Sequence, residues 1–314
     1  MPRKSRRGMS TSITAVCCLS AALALSACTA SRETTTVPTL SPSTAGQSVT
    51  LNSSSAPLES TAAANEAPVY WIGRAGDDAF LYREFRTVDN AANAENPITD
   101  ALRIMMSEKP LDPDYFTSWQ SPQKLATSIS GKNIITVDLS PDAFSANMDA
   151  GMAQRAVQQL VYTATAAASS SGMIDAGQQI QVVVLVDGHT DYNAFGHVKL
   201  GQPMQRDASL VAPIWVIDPQ EGTKFPTGKV SFNGLASTLG EAVTWQILRK
   251  NASGNNTVVL NGESKVSTEA GKAGLFSSSA DLPAGEYELR ATIKPATGAP
   301  ATSAVVDTKH FSVK

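Results

Sequence analysis

Ala150 to Ala168 reads AGMAQRAVQQLVYTATAAA, and the fold turns on how this stretch is read. Ala153, Ala156, Val157, Leu160, Val161, Ala164 and Ala168 recur at three- and four-residue spacing, which sets them on one stripe of an α-helix. Apolar runs flank it: Ile134 to Leu139 (IITVDL) before, Ile180 to Val186 (IQVVVLV) after. Both have strand length, and the second reads as a central strand buried on both faces. Further out, Val69 to Ile72 is a short strand, Asp77-Asp78 a turn, and Phe80 to Arg86 a second strand. Asn96-Pro97 opens a helix with Ile98, Leu102, Met105 and Met106 on one face. Glu108 to Gln120 is a loop holding Pro110, Pro113, Tyr115 and Trp119. Strands and helices interleaved in this way predict a small layered α/β (α+β) domain over residues 67–208.

Three segments of that domain occur in a set order. They are Ile135-Thr136-Val137-Asp138-Leu139-Ser140 with Phe144, Ala156 to Thr163 (AVQQLVYT), and Val182 to Gly188 (VVVLVDG). Together they resemble the sporulation and spore germination (GerMN) domain.

Residues 209–314 have another rhythm. Lys229 to Gly234 alternates, as do Val243, Trp245 and Ile247, and Tyr287, Leu289, Ala291 and Ile293. Alternation between turn residues predicts antiparallel strands with one buried face, and the length suits an all-β immunoglobulin-like sandwich with Trp245 in its core. Pro219 to Gly234, Val243-Thr244-Trp245 and Leu282-Pro283-Ala284-Gly285-Glu286-Tyr287 resemble the immunoglobulin-like domain of bacterial spore germination. That resemblance implies a second domain commonly found after a GerMN domain, in lipoproteins of spore formers and other bacteria alike.

The N-terminus reads as an address. Arg3, Lys4, Arg6 and Arg7 precede an apolar run from Ile13 to Leu25. This is the pattern of a secretory signal peptide, residues 1–27. Leu25-Ser26-Ala27-Cys28 resembles a bacterial lipobox, which implies cleavage before Cys28 and diacylglycerol on its thiol. Palmitate-type acyl chains would then hold the protein on the extracytoplasmic face of the cell membrane. Residues 29–66 hold 16 Ser or Thr, three Pro and no aromatic residue. Such a composition cannot bury enough apolar surface to offset ordering entropy, so 28–66 is expected to be a disordered tether behind the lipidated Cys.

Charge and cysteine content exclude several chemistries. Of the three cysteines, Cys17 and Cys18 leave with the signal peptide, so the mature chain has neither a disulfide nor a thiol nucleophile. Its four basic residues leave too, which leaves 21 Lys and Arg against 28 Asp and Glu, a balance of -7. No nucleic-acid partner is expected of such a chain.

The motifs that glance at catalysis each lack a part. Gly222 to Lys229 (GTKFPTGK) has five residues between its glycines and Val230 after its lysine, unlike a phosphate-binding loop. Ser121-Pro122-Gln123-Lys124 fits Ser-x-x-Lys but lacks the companion motifs; Ser121-Pro122 reads better as a helix start. Asp187, His189, Asp191 and His197 cluster as metal-ligand types, yet Gly188 and its polar neighbours point to a turn. His310 reads as a surface histidine. Glu263, Glu269, Glu286 and Glu288 are carboxylates without a visible cleft. Tyr115, Phe116 and Trp119 either form a partner-binding patch or cover the sheet beside the preceding helix. No catalytic residue, cofactor or metal site is expected. The expected function is that of a lipid-anchored scaffolding or interaction protein of the cell envelope, with an envelope protein as partner. The alternative is an envelope enzyme or binding protein acting on peptidoglycan or glycan.

Overall fold

The computed structural model describes residues 65–314 except 77, 89–95, 132, 145–147, 175–178, 238–241, 252, 267–272 and 294–303. The expected signal peptide, Cys28, nearly all of the expected tether, Asp77 and Glu269 lie outside the described residues.

The first module opens with a hairpin. Strand β1 (Glu66–Ala75) pairs antiparallel with β2 (Asp78–Thr87) along its whole length. Helix α1 (Pro97–Ser107) begins where expected: the Asn96 carboxamide accepts from the Ile98 and Thr99 N–H groups, satisfying two orphan donors of a first turn in which Pro97 has no N–H to satisfy. The Glu108–Gln120 segment is not wholly a loop, because Tyr115–Phe116 forms β3 and pairs with β1 at Gly73 and Ile72. Strands β4 (Leu125–Ile129) and β5 (Ile134–Leu139) are antiparallel neighbours. Ser121-Pro122 therefore leads into an extended strand and starts no helix. Helix α2 (Ala150–Ser170) comes next, and β6 (Gln181–Val186) returns parallel to β5.

Two corrections concern burial. The order β4-β5-β6 makes β6 an edge strand of its three-stranded sheet. Val182, Val184 and Val186 are buried, but Val183 and Leu185 are half-buried; among the described residues the far edge meets two isolated bridges, Val182 to Met204 and Val186 to His189, and no further strand of the sheet. In α2 the burial exceeds a stripe, because every residue from Gln159 to Ala168 is buried. The helix contacts the β1 hairpin, α1 and β6, so its polar positions must find internal partners. Gln159 donates to the Tyr70 carbonyl (2.9 Å), and Thr163 Oγ1 accepts from the Tyr70 N–H (3.1 Å). Spaced four apart, they occupy one helix face and bond the main-chain groups that Tyr70 turns toward the helix.

The connection from β6 carries short strands β7 (Asn193–Ala194) and β8 (Val198–Lys199). The second module is a two-sheet β-sandwich. One sheet holds β9 (Ile214–Asp218), β11 (Gly228–Ser237) and β14 (Ala273–Leu282), in the order β14-β11-β9. The other holds β10 (Thr223–Phe225), β12 (Val243–Lys250), β13 (Asn256–Ser264), β15 (Gly285–Ile293) and β16 (Val305–Val313), in the order β10-β16-β15-β12-β13. Trp245 lies between them with Val243 and Ile247, its ring edge-on to Phe232 at 5.0 Å. The Pro-Ala-Gly-Glu-Tyr segment also gains a reason: the Tyr287 hydroxyl donates to the Pro283 carbonyl four residues upstream (2.7 Å), pinning the start of β15.

The modules are not separate cores. Strand β9 is buried on both faces at Ile214–Val216: Ile214 and Val216 enter the sandwich, whereas Trp215 joins the apolar cluster of the first module. Leu210, Ala212 and Leu235 join the same cluster. The main chain continues the contact, with Ala212 N–H donating to the Leu81 carbonyl of β2 (3.0 Å).

Candidate functional site

Alternation in β16 sets Asp307, Lys309, Phe311 and Val313 on one face, and all four are buried. Phe311 and Val313 fill the sandwich. Asp307 and Lys309 continue that inward row with charges, where the sandwich abuts the first module. Ions so placed need partners with good geometry.

The partners come from the other module. The Lys309 ammonium donates to the Asp112 carboxylate and to the Tyr115 hydroxyl (2.7 Å), and lies 3.4 Å from Asp307 Oδ1. Tyr115 in turn donates to Asp307 Oδ1 (2.8 Å), while Asp307 Oδ2 accepts from the Val216 N–H (2.7 Å). The Tyr115 ring stacks on Tyr82 at 4.6 Å and lies beneath the Lys309 ammonium at 4.3 Å. Strand β2 supports the loop from behind. The two oxygens of buried Glu84 accept from the Leu111 (2.9 Å) and Asp112 (2.8 Å) N–H groups. Arg86 donates to the Lys109 carbonyl (2.5 Å) and to Glu108 (2.8 Å).

The electrostatics arise from this geometry. Burial raises the pKa of Glu84, although the Asp112 and Leu111 N–H bonds oppose it. Burial likewise raises Asp307 against the pull of Lys309. For Lys309 burial favours the neutral amine, but Asp307 and Asp112 outweigh it and hold its pKa above the ordinary lysine value. Burial pushes the Tyr115 phenol up as well, so it keeps its proton and donates. A firmly protonated lysine is no nucleophile or base. What this arrangement does is fix one module against the other in a single register.

Residues from Glu108 to Pro113 and from Tyr115 to Thr117 line an open groove of about 500 Å³. Leu111 lies on it and is exposed. The aromatic residues expected here as a possible partner patch are mostly internal. Tyr115 is locked in the cluster, and Trp119 is buried, donating from its indole to the Ala156 carbonyl (2.8 Å).

Other sequence candidates lie apart. Asp187 and Gly188 have φ of 49° and 78°, and Val186 and His189 exchange backbone hydrogen bonds across them, a two-residue turn of the Asp-Gly kind. His189, Asp191 and His197 are exposed in and beyond that turn, and no group of three or more metal-ligand side chains exists among the described residues. Asp138, at the end of β5, accepts from the Gly188 N–H (2.8 Å) and from Lys124 (2.8 Å). Burial works against its charge, but those bonds hold its pKa below the ordinary value. Lys124 of the Ser-x-x-Lys stretch is thus one half of an exposed ion pair, with Ser121 exposed beside it. Gly222 to Lys229 spans β10 and the start of β11. His310 is half-exposed beside Glu221 (3.1 Å). Glu288 is bonded to Asn256 and Arg290, and Glu263 and Glu286 are exposed on the sandwich.

Asp112, Asp307, Lys309 and Glu84 were not singled out from the sequence. A signal existed: in Val305-x-Asp307-x-Lys309-x-Phe311-x-Val313 two charges occupy positions that alternation assigns to a core. Their partners lie 192 and 197 residues away, beyond the reach of local pattern.

The Germane family, described as "Sporulation and spore germination", matches residues 68–192, which contain the three segments that carried the first resemblance. The tandem GerMN domains of the sporulation protein GerM from Bacillus subtilis align at 16% identity over 47% of this chain and 47% of that one, with a TM-score of 0.35. The chain thus spans about half the length of that tandem structure. The first GerMN domain of the same protein aligns at 15% identity over 45% of this chain and 95% of its own, TM-score 0.31. Murine CRIg aligns at 14% identity over 32% and 96%, TM-score 0.22. No curated protein matches. Among the described residues no helix is long and apolar enough to cross a membrane.

Proposed function

We propose that this chain is a noncatalytic interaction or scaffolding protein of the bacterial cell envelope, anchored by lipid on Cys28 to the extracytoplasmic face of the membrane. In this reading residues 1–27 are the signal peptide and 28–66 the tether. Residues 67–208 are the GerMN-like module, and 209–314 an immunoglobulin-like module of the kind found after it in spore germination proteins. One observation carries the reading. The buried charges concentrated at the junction serve to hold two modules together, with Lys309 kept protonated between Asp112 and Asp307. A rigid two-module body on a long tether suits the presentation of surfaces to an envelope protein.

Two measurements test it. Crosslinking in living cells, with mass spectrometry of the products, should recover an envelope protein with the wild-type chain. Recovery of glycan strands with turnover by the purified chain would replace scaffolding with catalysis. Cys28→Ala should release the mature chain or leave an uncleaved precursor. Membrane retention at the wild-type level with the signal removed would overturn the anchor.

A further inference from the structure

Strand β13 ends the five-stranded sheet, and among the described residues its outer edge has no neighbouring strand in that sheet, although Ser264 at its end donates to the Ser277 carbonyl of β14 (3.1 Å). It runs NTVVLNGES from Asn256 to Ser264, and Val258, Val259 and Leu260 in its middle are 46%, 44% and 38% exposed. Edge strands are commonly guarded by lysine, proline or very short length. This one is nine residues long, has no lysine or proline, and has Glu263 as its one charge. Its single irregularity is a bulge at Val259, opposite Ile247 and Leu248.

From this edge we infer that β13 pairs antiparallel with β13 of a second copy of the chain, joining two five-stranded sheets into one across a twofold axis. Side-chain parity narrows the register, and the placing of Lys250 and Glu263 chooses within it. Ladder partners in β12 set Leu260 and Gly262 on the sandwich face with Ile247 and Trp245, and Asn261 and Glu263 on the outer face with Gln246 and Thr244. Past the bulge, Thr257 pairs with Arg249, whose guanidinium reaches the inner ring of Tyr287, and Val258 and Asn256 pair with Leu248 and Lys250. A twofold pairing that respects these faces sets Val259 against Leu260, Val258 against Asn261, Thr257 against Gly262, and Asn256 against Glu263 of the second copy.

Two features of this register favour a second copy over an unrelated strand. The apolar pair Val259–Leu260 meets itself at the centre, twice. Lys250 lies beside Asn256 in its own sheet, so each Lys250 comes two strands from the opposite Glu263, within reach of a long side chain, and no like charges oppose each other. One strand pair is small against the roughly 800 Å² per partner of a stable complex. The dimer is therefore weak in dilute solution and is best read by trapping.

The test is crosslinking of the full chain in membranes of expressing cells with a short bis-maleimide, with the unmodified chain as the blank. Leu260→Cys should give a dimer-sized band containing this chain alone, and Lys224→Cys, on the opposite edge strand β10, should give none. Adding Val259→Lys to Leu260→Cys should lower the yield about tenfold. Glu263→Lys should lower it too, and Lys250→Glu in the same chain should restore it. Equal crosslinking at positions 224 and 260, a product containing another protein, or a yield indifferent to both Val259→Lys and the charge swap would overturn the pairing.

Discussion

At the residue scale, Lys309 decides most. With its ammonium replaced by the Lys309→Met side chain, Asp112 and Asp307 would face each other in a dry junction. Breaking a buried pair by removing one partner costs about 3–5 kcal/mol. Urea unfolding should show that loss, while Lys124→Met, at the solvent-exposed pair with Asp138, should leave the midpoint nearly unchanged. The pH dependence has a definite sign. Glu84 and Asp307 have raised pKa values through burial, so the folded state binds their protons more tightly than the unfolded chain. Their contribution declines as pH rises from the ordinary carboxylate value, ~4, through their folded values. Lys309 acts in the same direction later: its contribution is whole below ~10.4 and is lost as pH climbs through its raised folded pKa. Urea midpoints should therefore fall from pH 5 to pH 9, and Glu84→Gln with Asp307→Asn should flatten that slope. An unchanged slope would show that the cluster does not titrate with folding. Alternation in β16 marks Asp307 and Lys309 as charges at core positions, but nothing local marks Glu84 or Asp112, and the pairing of the four is visible only when the distant partner is known.

Elements were far more legible, since periodicity is local. The helical stripe in Ala150 to Ala168, the Asn96 cap and the alternation around Trp245 each foretold what formed. The errors came from neighbours. Strand β6 is apolar enough for a centre but lies at an edge, and α2 is covered on sides that its stripe alone did not require. The Trp245 site tests this level. A Cβ added at Gly262 would run into the Trp245 ring, so Gly262→Ala should cost about 1–3 kcal/mol by overpacking. Trp245→Ala should cost about 3–5 kcal/mol by cavity formation. Trp245→Phe should cost clearly less, because the indole N–H is buried without a hydrogen-bond partner and its removal forfeits no bond. Thermal melts of the three variants would rank them; equal losses for Phe and Ala would contradict this account.

For the molecule as a whole, a division near residue 208 reads naturally from the change of periodicity. Read alone, it would have Trp245→Ala unfold the sandwich and leave the first module folded. The shared cluster of Trp215 and Leu235 with the first module, and the charges buried between β16 and the 108–117 loop, argue for coupling instead. Calorimetry of the wild-type chain should show one transition, and Trp245→Ala should shift it as a unit. Two separated transitions in the wild type would mean that the junction contributes little. Periodicity could not reveal this coupling, because it describes which face of a strand is buried and not what lies across from it.

The distance along the chain between Asp112 and Lys309, 197 residues, bears on how the protein comes into being. A ribosome completes the first module's strands and helices long before it reaches β16. Until then Glu84, Asp112 and Tyr115 have no lysine to close over, and the apolar surface that later meets Trp215 and Leu235 stays open to water. Contacts of such separation form late, since loop closure must precede them. The first module therefore waits as an unfinished half, with the apolar surface that Trp215 and Leu235 later cover still facing water.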